Sequence, residues 1–62
     1  MSNATDVNNA YNTKLQEVEH KLSTLKSVLD LHAKVENKNW GHVGDLERIA
    51  NRLTELITNT NI

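Results

Sequence analysis

The segment Asn37-Lys38-Asn39-Trp40-Gly41-His42-Val43-Gly44-Asp45-Leu46 decides the fold, because it separates two stretches that have helical periodicity. It contains both glycines of the chain and its only tryptophan. Glycine inside a helix costs about 1 kcal/mol relative to alanine, and asparagine side chains bond to backbone groups at turns and caps. We therefore expect the chain to reverse direction here.

Asn39 is predicted to be the N-cap of the second helix, with Trp40 at its first position. Gly41 and Gly44 then lie three residues apart on one face, where a ligand or a neighbouring backbone can approach closely. In an alternative interpretation the loop is longer, Gly44 lies outside the helix and Asp45 is the cap.

Apolar residues on both sides of this segment recur at helical spacings. Before it, spacings of four and three alternate, as in a coiled-coil seam. The seam consists of Tyr11, Leu15, Val18, Leu22, Leu25, Leu29 and His32, and a second line of Val28, Leu31 and Val35 runs beside it. After the segment, the lines are Leu46, Ile49, Leu53 and Leu56, and Val43, Ala50 and Ile57. Helices with two such lines carry more apolar surface than one partner helix covers.

These patterns predict an all-α fold in a single domain, residues 1–62. Helix one is expected over about 7–36, the turn over about 37–39 and helix two over about 40–59. The chain has no proline.

The start of helix one stays open at this point, because two caps compete for it. Asp6 can cap an early start. Thr13 and Gln16 have the spacing of a capping box, which predicts a short N-terminal helix and a kink near Asn12.

The predicted lengths differ, at roughly 45 Å and 30 Å. In an antiparallel hairpin, helix two then ends near Leu15 or Val18, and the segment containing Tyr11 overhangs by about ten residues. Its apolar residues have no partner in their own chain. A 62-residue domain also buries only about 60% of its unfolded surface. We therefore expect a symmetric helical oligomer.

Composition excludes several classes of protein. The formal net charge is −1, which argues against a general binder of DNA or RNA polymers. There is no cysteine, so no disulfide or thiolate metal site is expected. No apolar run reaches the ~18 residues of a membrane span, and no signal-peptide core is visible.

Catalytic chemistry is not indicated. The three histidines, His20, His32 and His42, are too scattered for a ligand set, and no hydroxyl has a histidine at a recognisable offset. His32 and Glu36 have a spacing that can hold a metal, but His32 falls on the seam and fits a packed histidine better. We expect no enzyme, no cofactor and no metal.

Tyr11 and Lys26 are the first candidates for ligand binding. The only tyrosine can stack on a base, and the ammonium of Lys26 can bind phosphate while its stem lies along apolar surface. The two residues are about 60° apart around the helix and roughly 22 Å apart along it, so they can share a pocket only between chains. Alternatively, Tyr11 is an interface aromatic and Lys26 is solvated.

A second candidate site comprises Gly41, His42, Gly44 and Arg48. Backbone N–H groups at a helix start, close approach at glycine and a guanidinium one turn later suit a phosphate. Asp45, three residues before Arg48, can instead neutralise it.

The early Tyr11, Lys26 on the first long helix, and the turn Trp40-Gly41-His42-Val43-Gly44-Asp45-Leu46 resemble the anti-CBASS sponge family of small phage proteins. The resemblance covers about residues 8–57. Those proteins sequester the cyclic oligonucleotide messengers of bacterial antiphage immunity, so the resemblance implies viral immune evasion in the cytoplasm of the infected host.

The resemblance further implies a compact hexamer. Its cyclic dinucleotide pockets lie between protomers and use a tyrosine for stacking and a lysine for phosphate, roles that fall on Tyr11 and Lys26. Separate cyclic trinucleotide pockets are lined partly by an arginine, here Arg48. Whether both pocket types are present stays open. The alternative is a small oligomeric helical module that docks on a protein partner.

Overall fold

The computed structural model describes residues 3–61 and contains two helices within them. The first, α1, covers Asn3–Ala33, and the second, α2, covers Trp40–Asn59. No strand occurs in these residues. The predicted all-α fold with two helices is confirmed.

Helix α1 is continuous from Asn3, so the expected start at about residue 7 is wrong, and so is the short N-terminal helix with a kink near Asn12. The capping box at Thr13 does not form, because the Thr13 hydroxyl donates to the Asn9 carbonyl at 3.0 Å within the helix. Asp6 lies in the first turn, where its charge suits the positive end of the helix dipole. No glycine or proline precedes the turn, so nothing interrupts the helix.

Helix α1 ends at Ala33, three residues before the expected end at about 36. The last turn tightens, with Lys34 N–H donating to Leu31 O at 3.1 Å and Val35 N–H to His32 O at 3.3 Å. The Lys38 ammonium then reaches back to two carbonyls, Ala33 O at 2.9 Å and Val35 O at 2.8 Å. A lysine thus satisfies carbonyls that the helix itself cannot.

Helix α2 begins as predicted, with Asn39 as its N-cap in an extended conformation (φ −134°, ψ −179°). The Asn39 side-chain oxygen accepts from Gly41 N–H at 2.8 Å and His42 N–H at 3.3 Å. In return, Asn39 N–H donates to His42 Nδ1 at 3.0 Å. The alternative cap at Asp45 is wrong, because Gly44 and Asp45 both lie inside α2.

The two helices form a hairpin whose contact is thin. Half-buried side chains line the facing sides, and none of the described residues is fully buried. The half-buried residues are Leu25, Leu29, His32, His42, Asp45, Ile49 and Leu53. In residues 3–61, no two Cα atoms that are twelve or more positions apart lie within 8 Å, so the helices meet through side chains only.

Helix α1 extends far past the end of α2. Leu56 and Thr60, at the end of α2, line the same groove as Val18 and Leu22 of α1. Residues 3–17, about 22 Å of helix, therefore lie beyond the hairpin, and we call them the overhang. It is longer than expected because α1 starts earlier. The radius of gyration is 16.6 Å, whereas a compact domain of this size has about 11 Å.

Candidate ligand-binding surfaces

The overhang presents an apolar line that nothing in its own chain covers. Val7 is 57% exposed, Tyr11 64% and Leu15 42%. They continue the seam whose later members, Leu25 and Leu29, are half-buried against α2. The same helical face is thus covered in one half of α1 and open in the other. An exposed apolar line of this length is typical of an interaction surface.

Lys26 lies on α1 within the hairpin half and points its ammonium into solvent. Its Nζ lies 3.2 Å from Asp30 Oδ1, and both side chains are mostly exposed. Tyr11 is a full fifteen residues away on the same straight helix, roughly 22 Å. The structure therefore does not bring Tyr11 and Lys26 together within one chain.

A mostly apolar groove of about 450 Å³ runs between the helices where the overhang begins. We call it the interhelical groove. Its lining residues come from both helices: Val18, Lys21, Leu22, Leu25, Leu53, Leu56 and Thr60. Leu22 and Leu56 are more than half exposed. The groove is open along its length, so it has room for a further apolar element.

The second predicted cluster is divided between two sides of α2. Gly44 and Arg48 share an outer groove of about 410 Å³ with Arg52 and other polar residues. A Cβ built on Gly44 meets no atom within 4 Å, so this surface is open. Arg48 Nη2 lies 3.6 Å from Asp45 Oδ1, as the sequence suggested, and Arg52 Nη1 lies 3.7 Å from Glu55 Oε2.

Gly41 and His42 do not join that groove. A Cβ on Gly41 would lie 2.9 Å from the Asn39 side-chain oxygen, so glycine here is required by the cap. The His42 ring faces α1 and meets the His32 ring edge-on, with centroids 5.3 Å apart and planes at 77°. Of the four predicted residues, only Gly44 and Arg48 share a surface.

Sequence reasoning missed the structural role of His42. Its position three residues after the N-cap is where a side chain can return a hydrogen bond to the cap, and that spacing was the available signal. It also missed the neighbouring pair, in which His32 Nε2 lies 3.5 Å from Asp45 Oδ2. That nitrogen is buried and has no hydrogen-bond partner in the described residues.

Two features are absent from residues 3–61, a cluster of metal-ligating side chains and a helix that could span a membrane. No group of three acidic or histidine side chains in residues 3–61 is arranged to hold a metal. His32 packs on α2, and Glu36 lies past the end of α1, so their helical spacing is lost. Neither described helix combines the length and apolar character that a membrane span requires.

Comparison with known proteins adds no relative. No protein-family model, curated protein sequence or solved structure matches this chain.

Proposed function

We propose that this protein is a non-catalytic sponge that binds cyclic di- and trinucleotides between copies of itself. In this role it withdraws the messengers of CBASS antiphage signalling without cleaving them. The observation that carries the proposal is the overhang, which exposes Tyr11 on an apolar line with no partner in its own chain. The resemblance of the turn segment to anti-CBASS sponges supplies the ligand class.

The symmetry of the seam supports the proposed assembly. The spacings between seam residues from Tyr11 to Leu29 are the same in both directions about residue 20. Two α1 helices placed antiparallel about that point pair Tyr11 with Leu29, Leu15 with Leu25 and Val18 with Leu22, the layers of an antiparallel coiled coil. In this register Val18 and Leu22 of each copy cover the groove residues of the other, while the overhang lies along the hairpin half of the other α1. A closed twofold contact results.

This register brings the first two candidate residues together. Tyr11 of one copy comes level with Leu29 of the second, about 4.5 Å along the axis from its Lys26. A tyrosine ring and an ammonium at that separation can bind one base and one phosphate of the same ligand. The Lys26–Asp30 ion pair does not block the site, because an exposed pair at this spacing contributes only about 0.2–0.5 kcal/mol.

The contact energies are of the size that micromolar binding requires. A hydrogen bond from lysine to phosphate contributes about 1.5–3 kcal/mol, and a stacked base about 1–3 kcal/mol. Twofold repetition of both contacts gives about 5–12 kcal/mol before the costs of association, and micromolar binding needs about 8 kcal/mol. Hydrolysis is not part of the proposal.

A second pocket, for cyclic trinucleotides, is proposed at Gly44 and Arg48. The open surface at Gly44 lets a ligand reach the α2 backbone, and Arg48 offers a guanidinium to phosphate. Asp45 competes for that guanidinium. Because His42 is engaged in the cap and faces α1, we leave it and Gly41 out of this pocket.

The test is calorimetry with a panel of cyclic di- and trinucleotides on wild type, Tyr11→Ala, Lys26→Ala and Arg52→Ala. Arg52 is the control for dinucleotide binding, because it is as exposed as Lys26 and is also paired with a carboxylate, but lies on α2 away from the proposed contact between α1 helices. We expect the first two variants to lose dinucleotide binding at least tenfold, which corresponds to about 1.4 kcal/mol, with unchanged mass and helicity. Arg52→Ala should bind dinucleotides like wild type.

Unchanged affinity in both Tyr11→Ala and Lys26→Ala would contradict the composite pocket. Ligand released by heating should be chemically intact by chromatography, and a cleaved ligand would contradict the sponge. Native mass spectrometry with and without ligand reads the subunit number and the ligand count together.

The alternative function, a helical module that docks on a protein, is favoured by one observation. Trp40 is 85% exposed at the hairpin tip, beside a small apolar hollow with Val43. Exposed tryptophan is a frequent anchor at protein interfaces. Such a module needs the apolar lines and ignores every nucleotide in the panel, so the same titration separates the two functions.

A further inference from the structure

The cap of α2 depends on a histidine in one protonation state. In the usual capping box the residue three positions after the cap is glutamate or glutamine, and its side-chain oxygen accepts from the cap N–H. Here that residue is His42, and the accepting atom is Nδ1, 3.0 Å from the Asn39 nitrogen. A ring nitrogen accepts only when it carries no proton, so His42 must be neutral with its proton on Nε2.

The charged groups around His42 oppose a second positive charge. His42 lies in the first turn of α2, where the helix dipole already presents positive potential. The ring that faces it from α1 is His32, in the last turn of α1, where a positive charge is favoured. His32 also has Asp45 Oδ2 at 3.5 Å.

Two other cations lie close to this end of the hairpin and are already engaged. Arg48 lies against the other oxygen of Asp45, at 3.6 Å. The Lys38 ammonium is bonded to the carbonyls at the end of α1. Because both groups are positively charged, neither stabilises an additional proton on His42.

We infer that His42 is a proton-controlled latch on the α1–α2 turn, beyond any role in nucleotide binding. The neutral ring closes the capping box, and a protonated ring turns the accepting nitrogen into a donor that faces the Asn39 N–H. The folded turn favours the neutral form, so its contribution to stability is present at high pH and is lost as the pH falls. Imidazoles exchange this proton between about pH 5 and 8.

The first experiment reads the tautomer directly in the wild-type chain. Long-range proton–nitrogen spectra of the ¹⁵N-labelled protein at about pH 8 should show His42 with its proton on Nε2. The Asn39 amide should shift as His42 titrates, with the same midpoint. A proton on Nδ1 at that pH, or an Asn39 amide that does not follow His42, would overturn the proposal.

The second experiment compares thermal unfolding at about pH 8 and pH 5 for wild type, His42→Gln and His20→Gln at one protein concentration. Glutamine keeps an acceptor at the same position at both pH values. We expect the wild-type Tm to fall by about 4–8 °C more than that of His42→Gln, the shift for one lost cap. His20 is exposed on α1 and controls for removing a histidine, so its variant should behave like wild type.

Carboxylates do not explain such a difference, because they are common to all three proteins. An equal fall in wild type and His42→Gln would contradict the latch. A variant His42→Ala should be less stable than wild type at about pH 8 and equal to it at about pH 5.

Discussion

The two halves of α1 carry the same apolar period but meet different surroundings. In the half beside α2, Leu25, Leu29 and His32 are half-buried, and the nearby helix ends are capped by Lys38 and Asn39. In the overhang, all the seam residues are exposed. The overhang is supported only by local bonds, such as Thr13 to Asn9 and Lys14 to Glu17.

The comparison shows that helical periodicity and burial are separate properties. Isolated helices shorter than about 12–15 residues are marginal in water, and most helical stability in proteins comes from packing of the apolar face. The overhang continues the helix of the packed half, but nothing in its own chain covers its apolar face. A second copy of the chain is the proposed cover. Substitutions in each half show whether the two halves differ only within one isolated chain, or also in the protein in solution.

The largest effect is expected for Leu15→Asp in the overhang. If a second copy covers Leu15, the charge is buried and assembly is lost, at a cost of about 2–5 kcal/mol per chain, as for a truncated core leucine. Wild type should sediment far above the 7.0 kDa of one chain, and the variant near it. Circular dichroism measures the accompanying loss of helix.

The comparison variant is Leu53→Asp, because Leu53 is half-buried on α2 within one chain. It should weaken the hairpin whether or not the chain assembles. If Leu15→Asp sediments like wild type and changes stability by less than about 0.5 kcal/mol, the range of ordinary surface changes, the overhang has no partner.

A smaller effect is expected for Asn39→Ala at the turn. It removes the acceptor for Gly41 and His42 N–H, which costs about 0.5–2 kcal/mol. The control is Asn8→Ala in the overhang, where alanine gains up to about 0.7 kcal/mol of helix propensity. Thermal melts should move in opposite directions for the two variants. The same sign in both would mean that the turn is not capped as described.

The smallest effect distinguishes the two glycines of α2. Gly44→Ala should stabilise the chain by up to about 1 kcal/mol, because its Cβ meets open space. Gly41→Ala should gain less or nothing, because its Cβ displaces the Asn39 oxygen from the cap. Urea unfolding measures both. If Gly44→Ala instead weakens assembly or trinucleotide binding, a second chain or a ligand approaches the backbone there.

Much of the fold was predictable because it depends on short-range chemistry. Two helices, the reversal between them and the cap at Asn39 follow from periodicity and from the side chains at 37–46, all of which act within a few residues. The candidates Tyr11, Lys26 and Arg48 could be chosen from the sequence because they carry aromatic or charged side chains at helical positions. Gly44 could be chosen because glycine lets a ligand approach the backbone closely, and all four residues are exposed.

Other features depend on groups that are distant in the sequence or on competition between local bonds. The Thr13 hydroxyl bonds back into the helix instead of forming a box, and Lys38 reaches back to the end of α1. Periodicity therefore placed neither end of α1 correctly, whereas α2 covers the predicted residues 40–59. The separation of His42 from Gly44 and Arg48 arises because the His42 ring packs on His32 across the hairpin. Sequence spacing puts residues on a helix, but only the position of the other helix decides which way each face points.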